Sequence, residues 1–179
     1  MAEENNQGNA PVGGEENTGP TAGMITQYIK DLSFENPNAP QSLQNNSGQN
    51  PAIDVNVNVG VTQINDEVYE VELKISASSK VENDTVAFVV ELAYGGLFGL
   101  RGIPEDATKA FLLIQAPTMM FPFARQIIAT ATQDGGYPPL MLDPINFEAL
   151  FRQQQAQAEA QAADANASAP AGDADVTVN

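Results

Sequence analysis

The chain has 179 residues, enough for one domain with tails, and seven basic residues against 23 acidic ones give it a net charge of −16. That charge argues against binding to a phosphate backbone or to an anionic membrane surface, and it favours basic partners. The chain has neither Cys nor His, so thiolate metal sites, Cys nucleophiles and the commonest general base are also excluded.

The two ends of the chain differ in composition from its middle. Residues 1–24 are rich in Glu, Asn and Gly with few large apolar groups, and they predict a disordered tail. Residues 156–179 are rich in Ala and Gln and predict a second flexible tail. The domain is therefore expected over residues 25–155, and it is acidic in its own right, because residues 25–152 hold 15 acids and seven bases. With neither a signal-peptide pattern nor an apolar run of roughly 20 residues, we expect a cytoplasmic protein.

Four strands are predicted before any helix. Ile25–Glu35 is the first, and strict apolar–polar alternation marks the second and third over residues 53–61 and 69–77. The fourth is Thr85–Tyr94. Because the links between successive strands are short, we expect antiparallel pairing.

The fourth strand is apolar on both faces. One face carries the even-numbered residues Val86, Phe88, Val90, Leu92 and Tyr94. The other carries Ala87, Val89 and a single acid, Glu91. Helices can cover one face of a sheet in a small domain. The second face would then be covered by another subunit, a client chain or both, unless the strand is simply buried within one subunit.

Glycines and prolines organise the second half. Gly95, Gly96, Gly99 and Gly102 fit no phosphate-binding spacing, so we interpret them as a flexible or tightly turned connection. Pro104 begins a helix, Pro117 and Pro122 predict a break or kink, and Gly135-Gly136 ends it. Asp143-Pro144 predicts the start of a second helix. The fold class is thus α+β, a four-stranded antiparallel sheet followed by two main helices.

Several segments together carry a family resemblance. The first is D-L-S-F-E-N-P-N-A-P at 31–40. The strand region adds D-E-V-Y-E-V-E-L at 66–73, A-F-V-V-E at 87–91 and Y-G-G-L-F at 94–98. The helical region adds F-P-F-A-R at 121–125, G-G-Y-P-P-L at 135–140 and P-I-N-F-E-A-L-F at 144–151. In this order the segments closely resemble the SecB family of bacterial protein-export chaperones. The resemblance covers roughly residues 25–155, and neither tail contributes to it.

The resemblance implies a fold, an activity and partners. SecB proteins are homotetramers, dimers of dimers, which bind non-native preproteins in the cytoplasm and keep them unfolded without ATP or another cofactor. They deliver these clients to SecA, the ATPase of the translocation channel. By position in the motifs, the acidic SecA-binding patch of the family corresponds to Asp31, Glu35, Val89 and Glu91. These four occupy odd positions, opposite the even-numbered apolar face, although acids on a wet sheet face can also be merely solubilising.

Two apolar groups are candidates for client binding or assembly. The resemblance assigns Phe88, Val90, Leu92 and Tyr94 to a client groove or tetramer interface, and the sequence does not separate these roles from each other or from ordinary core. Met119, Met120, Phe121 and Phe123 are candidates for a client surface, with core packing the favoured alternative.

Two other functions compete with export. One is a SecB-like chaperone that serves a different route, such as toxin–antitoxin control. The other is an enzyme, which would need paired carboxylates in a cleft. The adjacent pairs Asp66-Glu67 and Glu105-Asp106 fit a turn and a helix start better, so we expect no enzymatic activity.

Overall fold

The computed structural model describes residues 19–44, 51–81 and 85–156, which form a four-stranded sheet with helices against one side. The strands are β1 (Thr21–Glu35), β2 (Ala52–Gln63), β3 (Val68–Val81) and β4 (Thr85–Arg101). They lie in the order β1-β4-β3-β2, and each neighbouring pair is antiparallel. The predicted α+β class is confirmed, and β1 and β2 are the edges of the sheet.

The helices follow the strands, apart from one short turn. That turn is α1 (Gln41–Gln44), between β1 and β2. After β4 come α2 (Glu105–Ala110), a π-helical turn (Phe111–Gln115) and α3 (Ala116–Asp134). A last helix, α4, is described over residues 147–156.

The sheet has two different faces, which we call the helix face and the open face. The helix face carries Val71, Leu73 and Ile75 of β3, which lie in one buried cluster with Met120 and Ile128 of α3. The open face carries the alternate residues, and no described helix covers it. Because residues two apart in a strand share a face, the even residues of β4 from Phe88 onward point to the helices and the odd ones to the open face. Val86 lies before a register shift and pairs with Lys80 of the open face, so its predicted place on the even-numbered apolar face is wrong.

The glycine-rich segment corrects the prediction of a turned connection, because β4 runs straight through it to Arg101. Gly95 lies opposite Tyr28 of β1 and Glu72 of β3. A Cβ at Gly95 would lie 2.8 Å from the Tyr28 ring, and one at Gly96 would lie 3.0 Å from Met120 Sδ. The glycines therefore allow side chains from β1 and α3 to lie across the strand.

The start of β1 and the course of α3 also differ from the predictions. β1 begins at Thr21, so residues 21–24 belong to the sheet and not to the N-terminal tail. The predicted break at the prolines is wrong, because α3 is continuous over both. Pro117 lies in the first turn, where a missing N–H matters little, and Pro122 lies inside the helix. The irregular turn precedes them, where the Ala116 N–H bonds to the carbonyl of Phe111, five residues back.

The second helix starts later than Asp143-Pro144 predicts. Residues 141–146 have no regular structure, and α4 begins at residue 147. The side-chain oxygen of Asn146 accepts a bond of 3.0 Å from the Ala149 N–H, which is the usual bond of an N-cap residue. Asn146 therefore takes the capping role predicted for Asp143.

The predicted helix end at Gly135-Gly136 is confirmed. α3 ends at Asp134, and Gly136 follows with a φ of +90°. The disorder predicted for both tails concerns residues that lie, except for 19–24 and 156, outside the described ranges.

Candidate functional site

The predicted acidic surface, Asp31, Glu35, Val89 and Glu91, lies together on the open face. Glu35 is the cross-strand partner of Val89, and Glu91 is the partner of Ser33, which lies between Asp31 and Glu35 on β1. Diagonal neighbours of this kind are about 7–8 Å apart, so the three carboxylates surround one small area. All three are exposed, and Val89 is half-buried beside them.

Two lysines near the acidic surface, Lys30 and Lys74, are bonded to other acids. Lys30 Nζ lies 3.0 Å from Glu70 Oε2 and 3.1 Å from Glu72 Oε2, and Lys74 Nζ lies 3.4 Å from Glu72 Oε1. Among the described residues, no ion pair joins Asp31, Glu35 or Glu91 to a cation. The acidic surface is therefore not compensated by an ion pair within the described part of the chain.

A hydrogen-bonded network borders the acidic surface. The Tyr28 hydroxyl donates to Glu70 Oε1 at 2.5 Å, across Gly95. The hydrogen bond from Tyr28, followed by that from Lys30, lowers the pKa of Glu70 below its usual value of 4.5. The carboxylate in turn raises the pKa of Tyr28 above 10.0, because the hydrogen bond to Glu70 holds the phenol proton.

The second predicted set, Phe88, Val90, Leu92 and Tyr94, is buried within the single chain. Their exposed fractions are 4, 0, 2 and 5%. They belong to one cluster with the buried residues of α3, which covers the helix face. This placement agrees with ordinary core packing, the alternative that the sequence leaves open. Any effect of Val90, Leu92 or Tyr94 on assembly or client binding would have to be exerted through the helix that they support, and it stays a prediction.

Phe88 differs from the other three because it also lines an apolar groove of about 190 Å³. One wall of the groove is the segment from Tyr137 to Met141, and the opposite side is Pro51 and Ile53 at the start of β2. The sequence analysis missed this groove, since its walls are far apart in the chain. The apolar run P-P-L-M at 138–141, placed directly after a helix end, was the one available signal.

The groove continues into an exposed apolar edge. Among the residues that the structure describes, β2 is an edge strand, so one side of its backbone has no strand partner there. Its helix-face residues Ile53 and Val55 are 43% and 45% exposed, and Met141 across the groove is 58% exposed. An extended chain laid here would find apolar contacts together with free backbone hydrogen-bonding groups.

The other apolar candidates divide between surface and core. Met119 and Phe123 lie one turn apart on α3 and are 45% and 50% exposed, whereas Met120 and Phe121 are buried. Core packing, the favoured alternative to a client surface, is therefore right for Met120 and Phe121 and wrong for Met119 and Phe123.

Comparison with known proteins assigns the family. The family described as preprotein translocase subunit SecB matches residues 15–158. The chain belongs to the SecB family. Two curated relatives, both named protein-export protein SecB, come from Sphingopyxis alaskensis and Afipia carboxidovorans. The first is 49% identical over 153 residues, which are 86% of this chain and 86% of the relative. The second is 50% identical over 137 residues, 76% of this chain and 84% of the relative.

A solved structure supports the same fold. The SecB-like chaperone of Mycobacterium tuberculosis, in complex with a ChAD peptide from the HigA1 antitoxin, aligns with a TM-score of 0.58 and 15% identity. The alignment covers 69% of this chain and 90% of that one. The resemblance found from the motifs is thus confirmed, and this SecB family member is a protein-export chaperone. Within the ranges that the structure describes, every helix is too short or too polar to cross a membrane.

Proposed function

We propose that this SecB family member binds non-native preproteins in the cytoplasm, keeps them unfolded without ATP, and delivers them to SecA. The observation that carries the proposal is that neighbouring residues of β4 serve opposite surfaces. Phe88 lines the apolar groove on the helix face, while Val89 and Glu91 belong to the acidic surface on the open face. A client and a motor protein can therefore approach the same sheet from two sides.

The groove and the β2 edge suit an extended apolar segment of an unfolded chain. The exposed Ile53 and Val55 offer sequence-tolerant contacts, and the free side of β2 offers backbone hydrogen bonds. Folded proteins hide both their apolar side chains and their backbone groups, so selectivity for the non-native state follows directly. Equal affinity for a stably folded protein and for its unfolded form would contradict this.

The acidic surface suits a basic surface of SecA. Like charges on neighbouring strands repel one another, and Glu91 has both Asp31 and Glu35 as diagonal neighbours. A basic partner relieves that repulsion, and it raises the association rate and the specificity more than the affinity. Exposed charges are screened over about 8 Å at physiological ionic strength, so docking should weaken as salt is added.

Calorimetric titration of SecA against two charge-reversal variants tests this docking. Asp31→Lys/Glu35→Lys should weaken SecA binding while client binding is unchanged, because the groove lies on the other face of the sheet. The matched control is Asp134→Lys/Asp143→Lys, which changes the net charge equally at exposed positions near the end of α3. Glu70 and Glu72 make a poor control, since they hold Lys30 in place. Equal losses in the two variants would reduce the acidic surface to a solvated face.

We also propose that the chain assembles as a homotetramer, a dimer of dimers. Exposed apolar side chains on two elements support this, namely Ile29 and Leu32 on the β1 edge and Met119 and Phe123 on α3. A second copy over each would remove their apolar area from water, at about 25 cal/mol per Å².

Export is preferred over toxin–antitoxin control. The curated relatives at 49% and 50% identity are export proteins, whereas the chaperone bound to an antitoxin peptide is 15% identical. We propose no catalytic activity, because the chain has neither His nor Cys. Persistent ATP turnover by the pure protein would refute that part of the proposal.

A further inference from the structure

The hydroxyl of Tyr137 lies among three oxygen atoms from three separate segments. Its oxygen is 2.8 Å from Asn36 Oδ1, 2.9 Å from Ser42 Oγ and 2.9 Å from the carbonyl oxygen of Ala87. Tyr137 and Ser42 are 5% and 4% exposed, so water has little access to these groups. A buried polar cluster of this kind is costly unless its members bond to one another.

The sheet makes the Ala87 carbonyl available through an irregularity. Along β3, Ser79 pairs with Phe88 and Lys80 pairs with Val86, so the register skips Ala87. The hydroxyl of Tyr137 lies at this bulge. A tyrosine hydroxyl has one proton, so it donates to one carbonyl oxygen at a time, while Ser42 Oγ donates to Asn36 Oδ1 at 3.0 Å.

The ring of Tyr137 packs against two other aromatic rings, and these contacts do not involve its hydroxyl. Its centroid lies 4.9 Å from that of Phe88 and 6.5 Å from that of Phe34. Gly135 leaves room for this cluster, because a Cβ there would overlap the Phe34 ring at 2.2 Å. Phenylalanine at position 137 would therefore keep the ring contacts and lose only the hydroxyl bonds.

Tyr137 is also the first residue of the groove wall that continues to Met141. At the far end of this wall, the Leu140 N–H donates to Thr132 Oγ1 at 2.9 Å. The Tyr137 N–H also donates to the Thr132 carbonyl, at 3.1 Å. Both backbone bonds hold the wall to α3, and the Tyr137 hydroxyl is the contact that reaches the sheet, at the Ala87 carbonyl. We propose that this hydroxyl fixes the wall against β4, which makes Tyr137 a positioning residue for client binding. This inference rests on the proposed function of the groove.

The test compares Tyr137→Phe with a matched control in the full-length protein. The control is Tyr69→Phe, because the Tyr69 hydroxyl accepts one weak bond of 3.4 Å from Gln63 at an exposed position. The probe is a reduced, permanently unfolded polypeptide. Loss of the buried bonds should weaken its affinity about tenfold, mainly through faster dissociation. Hydrogen exchange at the Leu140, Met141 and Leu142 amides should rise in Tyr137→Phe alone.

SecA binding separates positioning from general damage to the fold. It should be unchanged in Tyr137→Phe, since the acidic surface lies on the other face. Unchanged exchange at residues 140–142 with an unchanged client dissociation rate would overturn the inference, as would an equal effect of Tyr69→Phe on both. If the wild-type protein bound no unfolded chain, the proposed function would fail, and the exchange result alone would decide whether the hydroxyl fixes the wall.

Discussion

Replacing Gly95 by alanine tests whether the absence of a side chain in β4 lets the Tyr28 and Lys30 side chains of β1 pack over that strand. The added Cβ would lie 2.8 Å from Tyr28 Cε2, 3.0 Å from Tyr28 Cζ and 3.2 Å from Lys30 Cδ. Carbon atoms in good contact are about 3.5–4.0 Å apart, so the ring has to move by roughly half an ångström or more. That movement pulls the Tyr28 hydroxyl away from Glu70, to which it is bonded at 2.5 Å.

The expected cost follows from two opposing effects. Overpacking of this kind typically destabilises by about 1–3 kcal/mol. The smaller freedom of alanine in the unfolded chain offsets about 0.4–1 kcal/mol of this. The midpoints of these two ranges leave a net cost, and we therefore expect Gly95→Ala to lower the free energy of unfolding by about 1.3 kcal/mol.

Urea unfolding at one fixed protomer concentration measures this change, since subunit association would otherwise shift the midpoint. Gly23→Ala is the control, because Gly23 lies in the same sheet and an added Cβ there has nothing within 4 Å. In a Tyr28→Ala background the cost at Gly95 should largely disappear, which a double-mutant cycle isolates. The reasoning is refuted if Gly95→Ala is as stable as Gly23→Ala, or if its cost survives without the Tyr28 ring.

Three further predictions concern the core, pH and assembly. Val90→Asp buries an unpaired charge at a position with 0% exposure, so it should lower the free energy of unfolding by more than about 4 kcal/mol. The expected product is an unfolded chain, and a folded dimer in light scattering would contradict this. The pKa of Glu70 is lowered in the folded state, so its stabilisation is present above the unfolded pKa and lost as pH falls through the folded one. In Glu70→Gln the free energy of unfolding should therefore fall less steeply as the pH is lowered below 4.5. Urea unfolding at a series of pH values measures this, and the same dependence in the variant and the wild type would disprove it. Met119→Asp/Phe123→Asp should lower the mass in sedimentation, and retention of the full tetramer mass would argue against α3 as an assembly surface.

The strands could be predicted because their signal is local. Alternation along β2 and β3 fixes both the strand and the face of each residue. The same parity separates Val89 and Glu91 from the core residues of β4, whereas residues 31, 35, 89 and 91 are grouped into one surface by the family motifs. Their relation to SecA came from the family resemblance and not from parity.

Contacts between residues far apart in the sequence explain why the glycine segment, the groove and the cap of α4 could not be predicted. Gly95 and Gly96 were interpreted as a turn, because nothing near them in the sequence reveals that Tyr28 and Met120 lie across the strand. The groove was missed since residue 51, Phe88 and the segment from Tyr137 meet only in three dimensions. The pair Asp143-Pro144 predicts a helix start from local residues alone, whereas the cap at Asn146 depends on where the preceding segment is tethered. Part of that tether is a bond of 3.4 Å from Arg125 to the Leu142 carbonyl.

The open edge of β2 gives this protein a solubility problem of its own. An exposed strand edge with apolar neighbours is a template on which a second identical strand can add, and repetition of that step leads to polymers. The net charge of −16 opposes this, because each added copy brings its charge close to the last. Such repulsion is screened by salt, so the edge should be best protected at low ionic strength. The large excess of acids can thus be understood as protection against self-association, in addition to any role in recognition.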